Sequence, residues 1–152
     1  MKQTAIKSVF LAFTLFLAGC TQPDGNIGDL FGSWSLQEMT CDGIPLSLPD
    51  DSEGSTVSFQ ADIAMFNIYY NNDETGSSVC TWIRTDNTMT FNFNNSDDKY
   101  PAGTGIYAPP TWLRFSEPTE TIYISELNGR HFNFTRTASD GRIYTYKYNR
   151  TW

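Results

Sequence analysis

The sequence lacks a sustained helical period and the residue patterns of common catalytic and metal sites. After Cys20, no segment repeats apolar residues every three to four positions, which argues against a helical fold. The chain has no HExxH, GxSxG, phosphate-binding glycine loop or EF-hand spacing, and His131 is its only histidine. No CxxC pair offers thiolates for zinc. We therefore expect a protein that is not an enzyme and that needs no metal or other cofactor.

Basic residues are scarce in the first part of the chain. The formal net charge is −7 at pH 7, which disfavours nucleic acid as a partner. From Cys20 to Asp98, Arg84 is the only base against 13 acidic residues, whereas Lys99 to Trp152 carries 7 bases and 4 acids. This asymmetry predicts an acidic and a basic side of one fold, unless the charges pair locally across neighbouring strands.

The sequence also has no apolar run long enough to span a bilayer as a helix. The N-terminal segment MKQTAIKSVFLAFTLFLAGC has two lysines and then about 10 apolar residues, which is typical of a secretory signal peptide. Its end, LAGC, resembles the bacterial lipobox, in which the chain is cut before the cysteine and its sulfur is acylated. The resemblance implies a signal peptide over 1–19, and a lipidated Cys20 with a flexible tether over 20–29. One domain over 30–152 follows.

A lipid on Cys20 would anchor the domain to a membrane, since two acyl chains already give stable attachment. An Asp directly after the lipidated cysteine would resemble an inner-membrane retention signal, but this chain has Thr21 at that position. We therefore expect the domain at the outer membrane, on either its periplasmic or its exterior side. Cys41 and Cys80 are the remaining cysteines of this exported chain. A disulfide between them would stabilise the fold by roughly 4 kcal/mol if their strands meet; otherwise both are free thiols.

The pattern that does recur is alternation of apolar and polar residues, broken by turn residues every 8 to 12 positions. The first predicted strand is 32–41, ended by the turn dipeptide DG, and a change of inward parity between Phe59 and Phe66 predicts a turn or bulge near 62–64. About eight to nine short strands without a helix favour a closed all-β antiparallel barrel, because closure removes the sheet edges. The inward positions are mostly aromatic: Phe59, Phe66, Ile68, Tyr70, Phe91, Phe93, Phe132 and Phe134.

The motif GSW at 32–34 looks like the Gly-X-Trp of the lipocalin superfamily. The order of strand, DG turn, TW strand and Tyr-rich final strand is similar to the lipocalin-like lipoproteins of Bacteroidetes across nearly all the mature chain. The resemblance implies an eight-stranded up-and-down barrel with Trp34 closing its base. It also implies a basic side chain across that Trp, for which Arg136 and Arg150 are the candidates.

Two functions remain open from the sequence. An eight-stranded barrel is just wide enough to be filled by side chains or to hold one small ligand, so the aromatic residues either fill the interior or line a pocket. The irregular stretch 95–111 and its surroundings, with Gly103, Gly105, Tyr107 and Trp112, form either a lid or a packed loop. We expect a non-catalytic carrier of a small apolar or amphipathic molecule; the alternative is a filled barrel that docks a protein or glycan partner.

Overall fold

The fold is a closed antiparallel β-barrel, seen in a computed structural model that describes residues 27–151. The described part contains nine strands and three short 3₁₀ turns at Gly28–Leu30, Gly105–Tyr107 and Thr111–Leu113. Eight strands form the wall, and β2 is added only to β1. The strands are β1 Gly32–Cys41, β2 Ile44–Leu46, β3 Ser52–Gln60, β4 Ile63–Tyr70, β5 Thr75–Thr85, β6 Thr88–Asn92, β7 Thr119–Leu127, β8 His131–Thr137 and β9 Ile143–Arg150.

Consecutive wall strands pair with each other, and β9 returns to pair with β1. The predicted all-β barrel is therefore confirmed. We call the end where β1 begins and β9 ends the base, and the opposite end the mouth. The tight turn after β1 is at the mouth, where Asp42 and Gly43 both have positive φ, as a two-residue type I′ turn requires.

The core fills the inside of the wall, because alternate residues of every wall strand point inward. Packing starts before β1: Ile27 and Leu30 are both buried in the core, although the predicted tether extended to residue 29. No helix within residues 27–151 is long and apolar enough to cross a membrane. Cys20 and the predicted signal peptide lie outside the described residues.

Candidate functional site

The barrel axis is occupied by aromatic side chains. Ring contacts run from Trp34 at the base to Phe132 (5.8 Å between centroids), on to Phe134 (5.2 Å) and then to Tyr146 (4.7 Å). Seven of the eight candidate ligand-lining residues are at most 2% exposed, and the eighth, Tyr70, is half-buried at the mouth. Their rings pack against each other and not around a space: Phe59 lies 5.5 Å from Phe132 across the barrel, and Phe66 lies 5.2 Å from Phe91.

The mouth is closed by the connection between β6 and β7. Residues 110–118, which we call the mouth plug, insert Leu113 and Phe115 into the barrel, where both are buried. Phe115 meets the ring of Tyr146 edge-on at 5.8 Å, and the Tyr146 hydroxyl donates to the Leu113 carbonyl at 2.6 Å. Trp112, a candidate lid residue, donates from its indole nitrogen to the Ser55 hydroxyl at 3.2 Å. The plug is thus bonded to the wall.

The other candidate lid residues lie in the loop before the plug, where Gly103 and Gly105 are exposed and Tyr107 is half-buried. Gly105 has a φ of +55°, and a Cβ there would come within 2.2 Å of the Tyr100 ring, so only glycine fits. Gly103 is in a turn with a φ of +77°. The Tyr107 hydroxyl donates to the Asp97 carboxylate at 3.1 Å. The pKa of Asp97 is held below its usual range, mainly by the hydrogen bond that its carboxylate accepts from the Tyr100 backbone N–H. The glycines serve close packing and a turn.

A buried ion pair fixes the plug from inside the barrel. Arg136 and Glu120 are both almost fully buried, and their charged groups are 3.2 Å apart. Arg136 also donates to the Arg114 carbonyl of the plug at 2.6 Å, and Glu120 accepts the backbone N–H groups of residues 116 and 117. Because both charges are paired and hydrogen-bonded, they hold the plug in one position.

A groove of about 540 Å³ opens in the wall itself, and we call it the lateral groove. It forms because β1 pairs with β3 only over residues 32–35 and then diverges from it. Beyond that point β1 pairs with β2, while the first residues of β3, from Ser52, pair with β4 alone. Residues 47–51, which connect β2 to β3, cross the gap between β1 and β3. The groove therefore lies between these two strands, which would be neighbours along their whole length in a regular barrel.

The lateral groove has an apolar floor and an acidic rim. Leu36 and Met39 are three residues apart but both lean toward the core, because a bulge between Leu36 and Glu38 resets the alternation of β1. Glu38 is paired with Lys147 at 3.0 Å. Within residues 27–151, the rim carboxylates of Asp50 and Glu53 form no ion pair. The floor is completed by side chains of the β2 segment: Leu46 and Leu48.

Comparison with known proteins identifies the family. Residues 30–134 match the lipocalin-like domain family. The chain belongs to that family. A lipocalin-like protein from Bacteroides uniformis is similar over 79% of this chain and 98% of its own, with a TM-score of 0.53 and 14% identity. An uncharacterized protein from Bacteroides eggerthii is similar over 78% and 98%, with a TM-score of 0.53 and 13% identity. A search of curated proteins found no match.

The base of this lipocalin-like domain is closed by Trp34 and Arg150. Trp34 is fully buried and donates from its indole nitrogen to the Leu30 carbonyl at 2.9 Å. Of the two candidates for the basic partner, Arg150 lies over the indole, with Cζ 4.3 Å from the ring centroid, and Arg136 lies at the mouth. The Arg150 guanidinium also donates to three backbone carbonyls that meet at the base, those of Asp29, Phe31 and Gly129.

The cysteines of the lipocalin-like domain are both free, which corrects the possible Cys41–Cys80 disulfide. Strands β3 and β4 lie between the strands that carry them, a separation of about 14 Å at ordinary strand spacing, whereas a disulfide needs Cα atoms within about 7 Å. Cys80 is buried opposite Ala64, and this burial raises the pKa of its thiol. Among residues 27–151, no cluster of three or more His, Cys, Asp or Glu could hold a metal ion.

Sequence reasoning missed the lateral groove and the buried Glu120–Arg136 pair. Six of the thirteen residues that line the groove lie in the segment IPLSLPDD, whose prolines and acids are typical of a connection. The one available signal was the spacing of Leu36 and Met39, which breaks strict alternation. Glu120 carries no such signal, because its burial depends on the plug folding back over it.

Proposed function

We propose that the protein is a non-catalytic binding protein of the cell envelope that holds a small amphipathic molecule in the lateral groove. The observation that carries the proposal is the groove itself. The axis and mouth are filled by the chain's own side chains, so the space for a ligand lies between β1 and β3. Its volume of about 540 Å³ is within the ordinary range of small-molecule sites.

The chemistry of the groove indicates which end of the ligand lies where. The floor of Leu36, Met39, Leu46 and Leu48 favours an alkyl or ring system, because burying apolar surface there is favourable by about 25 cal/mol per Å². The rim presents Asp50 and Glu53, which favour a cationic or hydroxyl-bearing end over an anionic one. We therefore propose an amphipathic molecule with a positively charged or neutral polar head.

We further propose that the domain is anchored in the outer membrane by acylated Cys20. The lipobox-like LAGC at the end of a short apolar run supports this. The envelope is also a compartment in which amphipathic molecules are abundant and need a carrier when they leave a bilayer.

The test compares two probes of equal chain length, decyltrimethylammonium and decyl sulfate, each below its critical micelle concentration, by calorimetric titration. We expect the cation to bind at least tenfold more tightly. The D50N/E53Q variant should lose this preference, and Leu46→Ser should weaken both probes. The control Ile143→Ser changes an exposed side chain outside the groove and should bind as the wild type does. Equal binding of both probes by the wild type would refute the proposed site.

The closed axis also favours a second candidate, a filled barrel that docks a protein or glycan partner on its outside. Native mass spectrometry of protein purified from its own host, followed by denaturing extraction, separates the two. A recurring small molecule supports the groove, and protein that is repeatedly empty favours the docking module.

A further inference from the structure

The outward positions of β4 to β7 carry no charge as far as Tyr123, which is unusual for a chain of net charge −7. Along these four strands, all within the described structure, none of the outward positions from Ile63 to Tyr123 carries a charge. Glu126, beyond a bulge in β7, is the first charged residue past them. We call this surface the uncharged face; its residues are Ile63, Met65, Asn67, Tyr69, Ser77, Val79, Thr81, Ile83, Thr88, Thr90, Asn92, Thr119, Thr121 and Tyr123.

The half of the uncharged face nearest the base is the more apolar. Ile83 is 74% exposed and Tyr123 is 55% exposed. Ile63 and Met65 are 43% and 41% exposed. The strand register places threonines between these residues: Ile63 is opposite Thr81, Ile83 is opposite Thr90, and Tyr123 is opposite Thr88. The base half of the face therefore presents exposed apolar side chains interspersed with threonine hydroxyls.

Charge is unevenly distributed between the two ends of the barrel. The base carries four acids and three arginines, whereas the mouth carries ten acids and three bases. The base residues are Asp29, Asp62, Asp86 and Glu126 with Arg84, Arg130 and Arg150. The mouth residues are Asp42, Asp50, Asp51, Glu53, Asp73, Glu74, Asp97, Asp98, Glu117 and Asp140 with Lys99, Arg114 and Arg142. An anionic surface would therefore repel the mouth, with a net charge of −7, much more strongly than the base, with a net charge of −1.

The described part of the chain begins at the base. Ile27 is buried there and Leu30 accepts the Trp34 indole hydrogen bond. Seven residue steps separate Ile27 from Cys20, which reach at most about 25 Å when fully extended. A lipid on Cys20 would hold the base close to the bilayer.

From these observations, and resting on the proposed acylation of Cys20, we propose that the base half of the uncharged face lies on the surface of the lipid bilayer. The occupant is the headgroup and upper acyl region of the membrane to which the chain is anchored. Ile63, Met65, Ile83 and Tyr123 provide the apolar contact, and threonine hydroxyls between them can bind lipid headgroups. The acidic mouth then points away from the membrane.

The experiment uses the acylated full-length product in vesicles of phosphatidylethanolamine and phosphatidylglycerol, with intact mass reporting the acyl chains. In a Cys41→Ser background, Ile83→Cys or Tyr123→Cys carries a nitroxide label, while the buried Cys80 stays unlabelled. Ile143→Cys, at the mouth and also exposed, is the matched control. The rate at which the nitroxide collides with a water-soluble nickel complex should fall at least threefold at positions 83 and 123 when vesicles are added. The same rate should not change at position 143. Melting curves in detergent verify that each variant is folded.

Three results would overturn the proposal, and they have different meanings. Full exposure at position 83 in an acylated protein would refute the bilayer contact while leaving the anchor intact. Protection that appears without vesicles and grows with protein concentration would identify a second copy as the occupant. A measured mass without acyl chains would refute both the anchor and the bilayer contact. None of these three outcomes would affect ligand binding in the lateral groove.

Discussion

The most direct test of the filled axis is the substitution Phe66→Ala. Phe66 is fully buried on β4, and its ring lies 5.2 Å from Phe91, 6.2 Å from Phe93 and 5.8 Å from Phe115 of the plug. Losing this burial costs about 2 to 3 kcal/mol in transfer free energy. The void adds about 1 to 2 kcal/mol, because the neighbouring rings of β6 and the plug relax only in part, so we expect a total of about 3 to 5 kcal/mol.

Urea unfolding followed by circular dichroism measures this change in the free energy of unfolding. With a slope of about 2 kcal/mol/M, the midpoint should fall by about 2 M at an unchanged slope. The matched control Phe31→Ala removes the same side chain from a site that is 40% exposed and should cost less than about 1 kcal/mol. Benzene should raise the melting temperature of Phe66→Ala and not that of the wild type, since a dry apolar void binds such ligands. A loss under about 1 kcal/mol would show that the ring faces open space and would restore an axial pocket.

Two further predictions concern the base and the core. Arg150→Met should lower the free energy of unfolding by at least about 2 kcal/mol, because it removes donors to three backbone carbonyls as well as the cation–π contact; Arg150→Lys should recover only part of this. Thermal unfolding measures both, and wild-type stability in Arg150→Met would contradict the role of this residue. Burial raises the pKa of Cys80, Tyr146 and Tyr148, so the native state keeps protons that the unfolded chain releases. Stability should therefore be complete below about pH 8. It should fall by about 1.4 kcal/mol per pH unit for each group, above about pH 8.5 for Cys80 and above about pH 10 for the two tyrosines. Urea titrations from about pH 8 to 11 should show Tyr148→Phe with a shallower fall than the wild type, and a flat profile in the wild type would contradict this reasoning.

The positions of the strands, and which of their residues point inward, could be predicted from the sequence because alternation is a local signal. The predicted first strand, 32–41, has the bounds of β1, and Phe91 and Phe93 are buried as their parity predicts. The turn expected near 62–64 is centred on residues 61–62, which places Ile63 on the outside at 43% exposure. Strand β2 was missed, since three residues containing a proline give no alternation.

Distances across the barrel could not be read in the same way. Alternation tells which side of the wall Phe59 and Phe132 face, but not that their rings meet at 5.5 Å, because this depends on strand tilt and rotamers. The choice between Arg136 and Arg150 depends on strand direction. Because β9 is antiparallel to β1, it ends at the base beside Trp34, whereas β8 ends at the mouth. The lateral groove depends on where β1 leaves β3, which no local pattern encodes.

The pairing of β1 with β9 has a consequence for how the chain acquires its structure. Trp34 and Arg150 are register partners, so the contact that seals the base joins two residues 116 positions apart. Contacts of such sequence separation raise the contact order and slow folding, because a long loop must close before the contact stabilises anything. A nascent chain that ends before β9 leaves one whole edge of β1 and of β8 without a partner. The barrel therefore cannot close until β9 has been synthesised.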